Sequence, residues 1–248
     1  MLPALERIAR AAGSLILEVY ASNFTVRGKA DASPVTLADE LAERYIVREL
    51  QALDASIPVV AEEAASRGEV PAVAGRFWLV DPLDGTREFV ARNGEFTVNI
   101  ALVVDAAPVL GVVYVPVQDR LYAGEVGQGA WQVLHGVRSE LRCRAVPAEG
   151  LTLACSRSHD DAEKVEAWLA GRRVAARVAA GSSLKFGLVA AGLADVYPRF
   201  GRTMEWDTAA GHAVLRAAGG DVRDLQGRPL AYGKPGFENP DFVASGLA

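Results

Sequence analysis

Arg76-Phe77-Trp78-Leu79-Val80-Asp81-Pro82-Leu83-Asp84-Gly85-Thr86 decides how this chain is read. Its apolar run from Phe77 to Val80 predicts a strand buried on both faces, and the run stops abruptly at Asp81-Pro82. On a straight strand, Asp81 and Asp84 would point to opposite faces. Pro82 and Gly85 are expected to force the chain out of the sheet, so that both carboxylates and the Leu83 carbonyl converge on one point. Converging oxygens suit a hard cation such as magnesium, which takes a few carboxylates together with water and substrate phosphate. Upstream, Ile57-Pro58-Val59-Val60-Ala61-Glu62-Glu63 predicts a short buried strand that breaks into two glutamates. Glu62 can add a third carboxylate to the site, while Glu63 reads as a solvated neighbour. Most Asp-Pro and Asp-Gly pairs are only the capping groups of turns. Against that bland reading stands the gathering of acids at strand ends without enough nearby Lys or Arg to neutralise them, which destabilises a fold unless a cation sits between them.

A second acidic cluster, Glu205-Trp206-Asp207-Thr208-Ala209-Ala210-Gly211, opens a predicted helix whose small residues would let it lie close on a sheet. Taken alone, Asp207 in the first turn is explained as a helix cap beside a core tryptophan. Between the clusters, FTVNIALVV, PVLGVVYVP and RLYAGEV predict an antiparallel meander or sandwich layer. At the amino end, Leu5, Ile8, Ala12, Leu15 and Val19 recur at helical spacing. A second helix is predicted from Thr36, after Ser33-Pro34, to about Leu53, with Asp39 and Glu40 in its first turn, where the helix dipole alone favours carboxylates. From Leu151 onward, strands (LTLACS, VAARVAA, ADVYP) alternate with helical stretches (DAEKVEAWLA, SLKFGLVAAG, WDTAAGHAVLRAAG), and GKPGFENPDF reads as a turn-rich tail. The predicted fold is α/β (an α+β layered sandwich of alternating helix and sheet layers). Residues 1–140 form a metal-binding half with a largely antiparallel sheet, and 141–248 an α/β half that completes the site, with a soft boundary near Gly136 to Gly150.

Half of the 248 residues are apolar, enough for a substantial core. With 31 acidic against 26 basic side chains the formal charge is −5, which provides no basic field for a nucleic-acid polymer. Cys143 and Cys155 lack the spacing of a zinc ribbon or a disulfide framework and fit a reducing cytosol. No run approaches the roughly 18 apolar residues of a membrane span, and Glu6, Arg7 and Arg10 interrupt the first helix, unlike a secretory signal. A cytoplasmic protein is expected, at most peripheral on the cytoplasmic face of the inner membrane, without integral membrane contact. The oligomeric state stays open, with a homodimer as the assembly to test.

Trp78-Leu79-Val80-Asp81-Pro82-Leu83-Asp84-Gly85-Thr86 and Trp206-Asp207-Thr208-Ala209-Ala210-Gly211 together resemble the two signatures of the lithium-sensitive, magnesium-dependent phosphatase superfamily of inositol monophosphatase and fructose-bisphosphatase. The resemblance implies metal ligands at Glu62, Asp81, the Leu83 carbonyl, Asp84 and Asp207. It also implies that Thr86 and Asp39 are the pair that polarises the attacking water. Within the superfamily the chain is most similar, along essentially its whole length, to the CysQ-type 3'(2'),5'-bisphosphate nucleotidases of sulfur metabolism. The segments that carry this are Asp31-Ala32-Ser33-Pro34-Val35-Thr36, Arg87-Glu88-Phe89, Arg92 to Leu102, Ser156-Arg157-Ser158-His159, Gly181-Ser182-Ser183-Leu184-Lys185-Phe186 and Tyr197-Pro198-Arg199. The last three imply substrate contacts at His159, Ser182, Lys185 and Arg199, and Arg87 departs from the family's usual lysine with its charge kept. Read without the family, Lys185 and Arg199 are ordinary surface charges and His159 caps a helix at Asp160.

A small nucleotide with two phosphomonoesters carries about −3 to −4 charge, which an acidic protein binds only through local positive charge. Two or three Mg²⁺ ions are expected to supply it. One, on Glu62, Asp81 and Leu83, would activate water oriented by Thr86 and Asp39; another, on Asp81, Asp84 and Asp207, would stabilise the leaving ribose oxygen. The N–H groups of Gly85 and Thr86 can cradle the phosphate. The expected reaction is hydrolysis of the 3'-phosphate of adenosine 3',5'-bisphosphate or its phosphosulfate analogue by in-line attack of water. An inositol-phosphate or sugar-phosphate phosphatase would use the same metal site, and a non-enzymatic binder of phosphorylated metabolites is the third reading. A haloacid-dehalogenase-type phosphatase is set aside because its aspartates lie two apart and one is a covalent nucleophile.

Overall fold

The computed structural model describes residues 1–22, 26–28, 34–157 and 162–247, with 26–28 and 34–36 as backbone only. Strands β1 (Val26–Gly28) and β2 (Pro34–Thr36) pair with each other and lead into helix α2 (Leu37–Leu53). Helix α1 (Leu2–Ala21) precedes them, with Pro3 in its first turn, where a missing N–H costs nothing. Its core face is Leu2, Leu5, Ile8, Ala9, Ala12, Ile16 and Val19. Ile16, rather than the expected Leu15, carries the stripe on, because a straight helix of 3.6 residues per turn drifts against a fixed four-residue step.

A seven-stranded sheet runs in the order β3-β4-β5-β6-β7-β8-β9, built from β3 (Val59–Ala61), β4 (Arg76–Asp84), β5 (Thr97–Val104), β6 (Ala107–Val115), β7 (Arg120–Glu125), β8 (Gly129–Leu134) and β9 (Val137–Leu141). Every neighbouring pair is antiparallel except β3 with β4, which run parallel. The expected meander is therefore present, extended by the β8–β9 hairpin.

The second sheet has the order β11-β10-β12-β14-β13: β10 (Leu151–Ser156), β11 (Val174–Ala180), β12 (Val196–Arg199), β13 (Asp221–Asp224) and β14 (Phe242–Ser245). β10 is parallel to β11 and β12, while β14 is antiparallel to both of its neighbours. The supposed tail thus feeds an inner strand. Only its first part, Gly233 to Asp241, is turn-like, and Phe242 enters the sheet opposite Arg199.

Helices complete a five-layer sandwich. α1 and α2 cover one face of the large sheet; α6 (Leu184–Ala190) and α7 (Glu205–Ala217) lie between the sheets; α5 (Ala162–Leu169) packs on the outer face of the small one. The middle layer is thin because its residues are small on both sides. A Cβ on Gly111 of β6 would meet the Ala210 carbonyl oxygen at 2.4 Å, so α7 seats its backbone directly on the sheet. One core continues through this layer, joining Leu79 and Val113 to Phe186, Val214 and Phe242.

Candidate active site

Parallel pairing of β3 with β4 sets Ala61 opposite Val80, so the next residues, Glu62 and Asp81, leave the sheet side by side. β4 does not turn out of the sheet at Pro82 as expected. Its ladder with β5 continues, Asp81 opposite Asn99 and Asp84 opposite Thr97, with one extra residue on the β4 side. This β-bulge swings Asp81 and Asp84 to the same side. Gly85 then takes φ 92° and opens the short helix α4 (Thr86–Val90). Any Cβ there would lie 2.1 Å from Ser182 Oγ, so only glycine fits between the bulge and the Ser182 turn. From the opposite side, α7 brings Asp207 in its first turn, where its Oδ2 accepts the Met204 N–H at 2.8 Å.

Carboxylate oxygens of Glu62, Asp81 and Asp207 come within 4.8 Å of one another. Burial holds the Asp81 carboxyl well above the usual carboxylate range, and negative charge at Glu62, Asp84, Asp207 and Asp39 pushes the same way. Asp207 is raised likewise, by burial and by Asp84 and Glu62, against the Met204 N–H and the positive charge of Arg199. Among the described residues neither Asp81 nor Asp207 forms an ion pair with Lys or Arg. Three acids in such a setting ionise together only around a cation, and an all-oxygen donor set fits a hard divalent one.

Asp84 lines the same cleft but is held differently. Its Oδ2 accepts the Ser183 N–H at 2.6 Å and faces Ser183 Oγ at 2.7 Å, with Thr97 Oγ1 and Asn99 Nδ2 each at 3.4 Å. Ser183 Oγ is also 2.7 Å from the Asp207 carbonyl, tying the bulge to α7. Sequence reasoning assigned no role to Ser183, Thr97 or Asn99. Two fully buried polar residues within the apolar run of β5 were the available signal.

Leu83, Gly85 and Thr86 line the cleft, as do Ser182, Lys185 and Arg199. Asp39 is buried at the start of α2 on the acidic side. Lys185 and Arg199 are 3% and 8% exposed, so neither is a surface charge. Lys185 Nζ donates to the Ser182 and Ala180 carbonyls at 2.7 and 3.2 Å and lies 5.0 Å from the Tyr197 ring centroid. Arg199 Nη2 reaches the Arg202 carbonyl at 3.5 Å. Ser182, at φ 50°, sets its Oγ 2.9 Å from the Asp84 carbonyl and 2.8 Å from that of Glu95. His159, with Asp31 to Ser33, lies outside the described residues. Glu63 is 3% exposed rather than solvated, because α3 (Glu62–Ser66) folds back under α2.

A cation pocket made of acids, walled on its far side by buried cations that attract an anion, is what a metal-dependent phosphatase requires. Comparison with known proteins fixes the family: the inositol monophosphatase family matches residues 1–245, and the chain belongs to it. Metal dependence is general in that family. The 3'(2'),5'-bisphosphate nucleotidase CysQ of Escherichia coli O157:H7 is 49% identical over 248 residues, covering 99% of each chain. CysQ from Bacteroides thetaiotaomicron superposes with a TM-score of 0.82 at 40% identity, covering 99% of this chain and 96% of that one. The Thermotoga maritima IMPase superposes at 0.80 with 27% identity, covering 96% and 89%. No described helix is long and apolar enough to cross a membrane.

Proposed function

We propose that the protein is a magnesium-dependent 3'(2'),5'-bisphosphate nucleotidase, hydrolysing the 3'-phosphate of adenosine 3',5'-bisphosphate to AMP and phosphate. The phosphosulfate analogue presents the same 3'-phosphate. The observation that carries this reading is the meeting of the Glu62–Asp81–Asp207 oxygens with a cleft wall of buried Lys185 and Arg199. Likeness to the CysQ nucleotidases at 49% identity over the whole chain supports the nucleotide as substrate.

Glu62, Asp81, the Leu83 carbonyl, Asp84 and Asp207 would hold two or three Mg²⁺ ions. When bound, the metal lowers the pKa of a coordinated water and neutralises charge on the phosphoryl oxygens. Thr86 orients the attacking water and Asp39 accepts its proton. Water oxygen bonds to phosphorus as the bond to the ribose 3'-oxygen breaks, in line and without a phosphoenzyme, and the leaving 3'-oxygen takes up a proton from solvent water to give AMP. The Gly85 and Thr86 N–H groups face the phosphate, while Lys185 and Arg199 take the phosphate that is not cleaved, with Ser182 beside them; His159 is proposed as a further substrate contact on its sequence segment.

Phosphate release from adenosine 3',5'-bisphosphate and from inositol 1-phosphate, measured side by side with magnesium and with and without lithium, tests this. The nucleotide should be preferred, and lithium should inhibit. Preference for inositol 1-phosphate would keep the metal chemistry and overturn the nucleotide; release from neither would overturn both.

A further inference from the structure

Glu62 is the first residue of α3, and α3 cannot cap itself. Its N-cap position is Ala61, which has no side-chain acceptor, so the helix must find partners elsewhere for its leading N–H groups. They come from α2. Glu43 Oε2 accepts the Glu63 N–H at 2.6 Å and Oε1 accepts the Ala64 N–H at 2.9 Å. One carboxylate, 4% exposed, thus closes the turn on which Glu62 stands. Arg67 Nη2, 3.6 Å from Glu43 Oε1, adds a positive charge at its outer edge.

Glu43 also stands one helical turn beyond Asp39, on the same buried face of α2. The helix that carries Asp39 is therefore fastened to the turn that carries Glu62 through a single side chain. A Cβ-only residue at position 43 would leave one buried and one half-buried donor without their acceptor and let the first turn of α3 fray.

We propose that Glu43 is a positioning residue for the metal site: it fixes the Glu62 carboxylate for cation binding and keeps α2, with Asp39, in register with it. The inference rests on the reading of Glu62 as a metal ligand. Outer-shell carboxylates of this kind typically change metal affinity by about 10- to 100-fold when removed.

Calorimetric titration of the full-length, metal-stripped protein with magnesium chloride reads this directly, alongside circular dichroism to confirm the fold. Glu43→Ala should weaken magnesium binding by about tenfold or more. Glu43→Gln keeps one acceptor oxygen and should fall between Glu43→Ala and the parent; it carries the test if Glu43→Ala does not fold. At saturating magnesium the KM for adenosine 3',5'-bisphosphate should change by less than about twofold, since Glu43 acts on the ligand's position and not on the substrate pocket. A folded Glu43→Gln protein with the parent's magnesium affinity would overturn the proposal. Glu62→Gln separates the two readings. If it too binds magnesium as the parent does, the ligand reading fails; if it binds weakly while the Glu43 variants do not, only the positioning inference fails.

Discussion

The two walls of the cleft are charged in opposite senses and are stabilised in opposite ways. On the acidic wall, Asp81 and Asp207 receive one backbone N–H each, from Leu83 and Met204, and burial drives their carboxyls toward the protonated state. On the basic wall, Lys185 is buried about as deeply as Asp81, yet its ammonium is met by the Ala180 and Ser182 carbonyls and by the face of Tyr197 on β12. The fold satisfies its buried cation internally and leaves its buried acids to an outside partner. The acidic wall is therefore costly to the empty protein, whereas the charge of the basic wall is already met within the fold.

Neutralising the acidic wall should break this contrast most sharply. Asp207→Asn is expected to lower kcat/KM for phosphate release by about three orders of magnitude, while the metal-stripped variant melts higher than the metal-stripped parent, because a repelled carboxyl has been removed. A variant that lost activity without that gain in Tm would show that Asp207 was not under electrostatic strain.

The basic wall should respond more mildly. Arg199→Met is expected to raise the KM for adenosine 3',5'-bisphosphate by about tenfold, roughly the worth of one charge-assisted contact, with a smaller effect on a substrate bearing a single phosphate. Equal effects on both substrates would move Arg199 from recognition of the second phosphate to general support of the cleft.

The smallest effect is on stability against pH. In the folded, metal-free protein Asp81 and Asp207 are raised, and Glu43 is pushed up to about 7 by burial. The folded state therefore keeps protons that the unfolded chain has already released, so stability falls as pH rises from the ordinary carboxylate range toward the raised values. Calorimetric scans of stripped protein should show Tm falling by a few degrees from about pH 5 to about pH 8, and magnesium should flatten the slope. A stripped protein whose Tm rises across that window would contradict the acidic-wall description.

Much of this was legible in the residues themselves. The apolar run before Asp81-Pro82 marked β4, the alternation from Phe96 marked the meander, and the acids at strand ends marked the site. Four features were not legible, each for a physical reason. The bulge at Asp81–Asp84 depends on how β5 pairs, which a single strand's pattern does not encode. β14 was hidden because a four-residue strand after Gly, Pro and Asn carries less local signal than the sheet's own hydrogen bonds. Glu63 looked solvated because its burial comes from α3 packing under α2, a contact between segments about twenty residues apart in the chain. Ser183, which holds Asp84, sits among similar small residues and is singled out only by where the Ser182 turn meets the bulge.

The place of β14 between β12 and β13 bears on how the protein is made. Residues 242–245 emerge from a ribosome after every ligand and every pocket residue named above, yet Arg199 lies on the strand that leans on them. A nascent chain halted before Phe242 would hold every residue assigned to the site and would still lack the strand that pairs with Val196 to Arg199.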